Sequence, residues 1–236
     1  MNLCQRAILE NIVQKIQECD LFLFDLDGLL VDTEPVHYQA YQKMCLARGF
    51  SLTWDYAAYC DLAHKGSDLL EKGVYETFPD LKAQEPNWRV LHQEKQMAFL
   101  EIVADEGVSL MPGVEQMLQK FPLQSKRSCV VTHSSSQLTQ ALCRKLPILQ
   151  TIPYWVTREQ YSSAKPHPDA YLLAMRLYGK EGDKILGFED SFRGYLALQA
   201  AGIPSVVISS ILSSEFLKEL DQKQVSYYSS FQDIII

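Results

Sequence analysis

The sequence is poor in the features that would place it outside ordinary globular proteins. Its six cysteines (Cys4, Cys19, Cys45, Cys60, Cys129, Cys143) form no C-x-x-C pair, which argues against a disulfide framework or a zinc site and for reduced thiols. No apolar run approaches the length of a membrane span. Glu10, Lys15 and Glu18 interrupt the first twenty residues, so that stretch does not read as a signal peptide. A basic excess is missing too. The net charge of −7 disfavours unspecific binding to nucleic acid or anionic membrane. No repeat or low-complexity segment occurs. A cytoplasmic protein, monomeric or weakly homodimeric, without nucleic-acid or membrane partners, is the expectation.

What is present is a packed-protein composition, with 47% hydrophobic residues in 236. That is enough for one large domain, or for a core domain carrying a smaller insertion. Ile8, Leu9, Ile12, Val13 and Ile16 share one face of a helix expected over residues 3–18, for core packing or a dimer contact. Leu21–Phe24 reads as a short buried strand that runs into Asp25-Leu26-Asp27-Gly28. After it, helices are expected at 34–48, 53–63, 67–77 and 87–105, with no strand between 34 and 106. In the last of these, Trp88, Leu91, Ala98, Ile102 and Val103 form a stripe that Lys95 breaks. An all-helical block between strands suggests an inserted cap, residues 33–107, with hinges near Val31–Thr33 and Glu106–Met111. The core is then 1–32 with 108–236.

From Pro112 onward strands and helices alternate. A short helix opens at Pro112-Gly113, and strands are expected at 128–132, 154–156, 185–188 and 206–208, with an edge strand at 225–228. Helices fall at 136–146 and 168–179, and a third starts after Ser191 and ends at Ala201-Gly202. This alternation predicts an α/β fold, a doubly wound parallel sheet with right-handed crossovers.

Four loops that each follow an apparent strand carry reactive groups. The first brings Asp25 and Asp27, two carboxylates whose joint ionisation is costly unless a cation or a proton-donating role relieves it. The second brings Thr132, His133 and Ser134 to a helix N-terminus, where hydroxyls and free amides favour an anion. The third brings Lys165, in a loop held by Pro166 and Pro168, and the fourth Glu189-Asp190. Each alone has a plainer reading: a strand-end turn, a hydrogen-bonded loop, a solvated lysine, a helix-capping pair. Together they supply hard oxygen ligands, one fixed cation and an anion pocket, the inventory of phosphoryl transfer. A phosphate monoester carries about two negative charges at neutral pH. Beside the site's carboxylates, one Mg²⁺ plus Lys165 offsets most of that charge, and neither cation alone would suffice.

Phe24-Asp25-Leu26-Asp27-Gly28-Leu29-Leu30-Val31-Asp32-Thr33-Glu34-Pro35 resembles the first motif of the haloacid dehalogenase superfamily. Within it the chain is similar to the helical-capped phosphatases and β-phosphoglucomutases, with matching motifs in order from Asp25 to Asp190. The resemblance implies that Asp25 attacks phosphorus and becomes an aspartyl phosphate, while Asp27 protonates the leaving oxygen and later activates water. It implies Mg²⁺ held by Asp25, the Asp27 carbonyl and Asp190, with Glu189 in support. Thr132 and nearby amides would hold the transferring oxygens, and Lys165 would steady Asp25 and the phosphoryl group. Gly28, His37, Lys65, His133 and Ser134 are the expected substrate-binding residues. His37 matches a histidine near the acid/base aspartate of the mutases, and Lys65-Gly66 resembles a substrate-contacting cap loop. Where that loop continues to an arginine gripping a second phosphate, this chain has Leu69. The expected function is a Mg²⁺-dependent phosphatase for a small phosphorylated metabolite, a sugar phosphate among the candidates. A phosphosugar mutase is the alternative, and a catalytically idle binding domain a third. A dehalogenase fits less well, since it needs neither Asp27 nor the Glu189-Asp190 pair.

Overall fold

A computed structural model describes residues 12–120 and 126–234 of the chain. Two compact units divide it at Val31/Asp32 and at Val108/Ser109. The expected N-terminal helix is seen as α1 (residues 12–18), with Ile12 and Ile16 buried; its part before residue 12 lies outside the described residues.

The α/β unit is built on β1 (Leu21–Phe24), β2 (Arg127–Val131), β3 (Tyr154–Val156), β4 (Ile185–Glu189), β5 (Ser205–Ile208) and β6 (Ser226–Tyr228). They form one sheet in the order β3-β2-β1-β4-β5-β6, and every pair is parallel. The chain moves outward one way from β1 through β2 to β3, and the other way through β4, β5 and β6. The winding reverses at β1/β4, where open parallel sheets form a crevice at their carboxyl ends. In register, Phe24 lies beside Val130 on one side and Phe188 on the other, so the loops after three strands start at one level.

β1 is buried on both faces, which explains its unbroken apolar run. Phe24 stacks with Phe22 and with Phe188, and Phe231 packs against Phe188, on one face. Leu21 and Leu23 pack on the other with Cys129, Val131, Tyr171, Ala197 and Leu198. Tyr171 lies on α9 (Asp169–Tyr178), and Ala197 and Leu198 on α10 (Phe192–Ala200). α7 (Val114–Lys120), α8 (Ser136–Lys145) and α11 (Ser214–Gln222) complete the helices of this unit among the described residues.

The other unit is helical throughout: α2 (Glu34–Ala47), α3 (Tyr56–Lys65), α4 (Ser67–Thr77), α5 (Pro79–Gln84) and α6 (Trp88–Asp105). Its core gathers Tyr41, Met44, Leu52, Tyr59, Leu70, Val74 and Leu91. Thr33 stands at the α2 N-cap but makes no side-chain cap bond. Gly49, with φ of +88°, follows the helix as its stop. α5 and α11 were not expected. α5 has six residues and buries only Leu81, too short for a period to show. α11 was legible: Ser213 accepts from the Phe216 amide, and Phe216 and Leu220 form its buried i, i+4 stripe.

Candidate active site

Asp25 is the first residue past β1, and its amide donates to the Phe188 carbonyl at 3.0 Å, which ties it to the end of β4. The chain then closes a tight turn in which Leu30 and Val31 both donate to the Leu26 carbonyl and Gly28 donates to that of Val31. Gly28 adopts φ of +81°, a conformation that suits glycine. A Cβ built there would fall 2.3 Å from Asp190 Oδ2, so the missing side chain also leaves room for that carboxylate.

Lys165 is buried and uses all three ammonium hydrogens on the protein. It donates to Asp25 Oδ1, to the Val131 carbonyl at 2.9 Å and to Glu189 Oε1 at 2.7 Å. Burial opposes its charge, but Asp25 and Glu189 outweigh that and hold its pKa well above the ordinary value. Tyr171 also donates to Glu189 Oε1, and the backbone of Gly194 closes on the same carboxylate, where a Cβ would meet it at 2.0 Å. Glu189 is wholly buried. Among the described residues its Oε2 keeps only a long contact from the Ser191 hydroxyl, at 3.4 Å.

Three carboxylates, Asp25, Glu189 and Asp190, place ligand oxygens within 4.8 Å of one another. Burial, then the charges around it net of Lys165, pushes Asp25 up to about 8. Asp190, though partly open to solvent, is raised well above its usual range by desolvation and by the charges of Asp25 and Glu189. So much negative charge facing one lysine is what a divalent cation relieves, and an all-oxygen donor set fits Mg²⁺.

On the β2 side, Thr132 and Ser134 both donate through their hydroxyls to Asp27 Oδ2, at 2.9 and 2.8 Å. The Ser134 amide in turn donates to Thr132 Oγ1. The α8 N-terminus is less open to an anion than expected. Ser135 accepts from the Leu138 amide, and Glu159 from the Ser136 amide. His133 turns its ring to Tyr161, whose hydroxyl donates to the Thr132 carbonyl at 3.0 Å.

The structure therefore brings Asp25, Asp27, Gly28, Thr132, Ser134, Lys165, Glu189 and Asp190 to one end of the sheet, with His133 at its edge. His37 and Lys65 belong to the helical unit. His37 Nδ1 lies 2.7 Å from Lys95 Nζ, and its ring packs on Phe99. An ammonium only donates, so Nδ1 accepts and the ring proton sits on Nε2. Lys65 ends α3, and its side chain lies outside the described residues. Two partners were missed from sequence. Lys95 showed itself only as a break in an apolar stripe, and Tyr171 reads as an ordinary core aromatic.

The haloacid dehalogenase-like hydrolase family model matches residues 19–202. The chain is similar to the CbbY protein of Rhodobacter capsulatus, 26% identical over 196 residues, 82% of this chain and 86% of that one. It is 28% identical over 204 residues to a phosphorylated carbohydrates phosphatase of Thermotoga maritima, covering 84% and 89%. In fold it resembles the crystal structure of CbbY from Rhodobacter sphaeroides in complex with phosphate. The TM-score there is 0.72, with 23% identity over 90% of this chain and 95% of that one. With a family model matched from before β1 to the end of α10, over the whole stretch that supplies the clustered carboxylates and Lys165, the chain belongs to the haloacid dehalogenase-like hydrolases.

Proposed function

We propose that this phosphoric monoester hydrolase releases phosphate from a small phosphorylated sugar or related metabolite, with Mg²⁺ and through an aspartyl phosphate on Asp25. The observation that carries the reading is the contact of Lys165 with both Asp25 and Glu189, beside Asp190, with the Thr132 and Ser134 hydroxyls on Asp27. The similarity to a phosphorylated carbohydrates phosphatase supports the substrate class.

Asp25, Asp190 and Glu189 through Oε2, with the Asp27 carbonyl, would hold the ion. When bound, Mg²⁺ supplies charge neutralisation for the phosphoryl oxygens. The chain's own groups do the rest. Lys165 has no hydrogen left for substrate, so it acts as a fixed counter-charge that keeps Asp25 aimed, and together with the bound ion it would favour the carboxylate form that attacks. An Asp25 oxygen attacks phosphorus, the bond to the leaving oxygen breaks, and Asp27 delivers the proton that oxygen needs. A water then attacks the aspartyl phosphate, Asp27 takes its proton, and Asp25 is regenerated as phosphate leaves. In the structure Asp27 occupies the hydroxyls of Thr132 and Ser134. A phosphoryl group taking those donors displaces Asp27 and frees it for the leaving oxygen. His37 and Lys65 are assigned to substrate binding from the helical unit, which acts as the cap.

The test is phosphate release from a panel of phosphorylated sugars, nucleotides and small acids with Mg²⁺. No release from any member refutes the proposal. Supplying β-glucose 1-phosphate with a trace of the 1,6-bisphosphate separates the mutase alternative: free phosphate should dominate, and efficient conversion to glucose 6-phosphate would favour the mutase.

A further inference from the structure

The two oxygens of Glu189, wholly buried at the end of β4, have different surroundings. Oε1 accepts from Lys165 Nζ at 2.7 Å and from the Tyr171 hydroxyl. Among the described residues Oε2 meets only the Ser191 hydroxyl, at 3.4 Å, and the Ser191 oxygen accepts from the Gly194 amide at 3.1 Å. Lys165 divides its hydrogens among Asp25, the Val131 carbonyl and Glu189. Tyr171 has one proton and gives it to Glu189.

The ring of Tyr171 is held on all sides, which fixes where that proton points. It packs from α9 among Leu21, Leu23, Cys129 and Val131, wholly buried, with Lys165 Nζ 4.8 Å from the ring centre. A phenylalanine would fill the same space, and a hydroxyl taken out of water is unfavourable unless it finds a partner. Burial, then the charge of Glu189, hold the phenol well above its ordinary pKa, so it stays a donor at physiological pH. From the other side the Gly194 backbone confines the same carboxylate: a Cβ there would fall 2.0 Å from Oε2 and 2.1 Å from Oε1. Glu189 is thus held at Oε1 and walled in, and Oε2 is the oxygen left for an ion beside Asp25 and Asp190.

We propose that Tyr171 is a positioning residue for the metal: by occupying Glu189 Oε1 it restricts Glu189 to one ligand oxygen, and so sets a preference for Mg²⁺ over Ca²⁺. Mg²⁺ demands a compact octahedral set, whereas Ca²⁺ accepts more oxygens at longer distances and takes carboxylates through both. Without the hydroxyl, Oε1 keeps only one hydrogen of a lysine shared three ways, and Glu189 gains freedom to turn both oxygens to a larger ion. This rests on the metal assignment of the proposed function and not on its substrate. The competing account is that the hydroxyl only offsets buried charge; its loss then lowers stability and weakens both ions alike.

Calorimetry with MgCl₂ and with CaCl₂ on chelator-treated protein, without substrate, separates the two. Tyr171→Phe keeps the ring and its packing. It should raise the Kd for Mg²⁺ about tenfold and leave that for Ca²⁺ within about threefold or lower it, so the Ca²⁺-to-Mg²⁺ ratio of Kd falls about tenfold. Tyr195→Phe is the control. It removes another wholly buried phenol hydroxyl, on α10, that has no hydrogen-bond partner among the described residues, and the ratio should not move. An unchanged ratio in Tyr171→Phe, or an equal shift in Tyr195→Phe, overturns the proposal. Glu189→Gln tests the same arrangement with Tyr171 in place, and decides the matter if Tyr171→Phe does not fold. Two donors on the amide oxygen leave its NH₂ toward the ion, so the Kd for Mg²⁺ should rise on the order of a hundredfold; a rise below about tenfold overturns the proposal. A wild type that binds neither ion overturns it together with the metal assignment. The ratio shift upholds it even if no ester is hydrolysed, in which case the phosphatase reading alone fails.

Discussion

Gly28→Ala should damage this enzyme far more than a single methyl suggests. At φ of +81° an L-residue pays about 1–2 kcal/mol for the left-handed conformation. In a chain of this size that corresponds to a fall in Tm of roughly 2–8 °C. The larger effect is local. The new Cβ would lie 2.3 Å from Asp190 Oδ2, and ordinary contact begins near 3.4 Å, so the carboxylate must retreat by about 1 Å. A displacement of about 1 Å at a catalytic centre can cost on the order of 10²-fold in rate. Asp190 is also an assigned metal residue, so the Mg²⁺ concentration for half-maximal activity should rise together with the loss of kcat. Melting curves, kcat and a Mg²⁺ titration on wild type, Gly28→Ala and Gly28→Asn measure all three effects. Asparagine tolerates positive φ better but still carries a Cβ, so it should recover stability and not activity. Gly28→Ala with kcat within threefold of wild type and an unchanged Mg²⁺ requirement would refute the placement of Asp190 against this turn.

Asp25→Asn should reduce turnover by at least about 10³-fold with folding intact, checked by single-turnover kinetics and circular dichroism. Lys165→Met leaves Asp25 and Glu189 buried without their cation, and urea unfolding should show a loss of about 3–5 kcal/mol; adding Glu189→Gln should recover part of it. Chelation should abolish phosphate release, and added Mg²⁺ should restore it; full activity in excess chelator would contradict the metal assignment. Metal-free protein should also lose stability, relative to Asp25→Asn, as pH rises from about 4 to about 8. Over that window native Asp25, raised to about 8 by burial, holds a proton that the unfolded chain has released. Thermal melts across that range test the sign, and a relative gain in stability with rising pH would reverse it.

The local parts of this molecule were open to inspection in its sequence. Leu21–Phe24 is apolar at every position because both faces of β1 are covered, and the alternation after Pro112 follows from a parallel sheet that needs a crossover helix per strand. The acidic turn, Thr132, Lys165 and Glu189-Asp190 stood out as polar residues at strand ends. Side-chain pairing is a different matter, because periodicity reports which face a residue occupies and not what it meets across the fold. Lys165 and Asp25 are 140 residues apart, and only the order β3-β2-β1 brings the loops after β3 and β1 together. Tyr171 looked like core packing, and its contact with Glu189 depends on α9 lying over β1 and β2. Arg158 and Arg193 carried no distinguishing pattern in the sequence. Arg193 meets the Lys165 carbonyl where the Lys165 loop packs against the start of α10, a tertiary fact with no local signature. Residue type and spacing decided which groups could do chemistry here. The fold decided which of them share a charge, a proton or a ligand, because those energies depend on distances that the chain closes only when the sheet is complete.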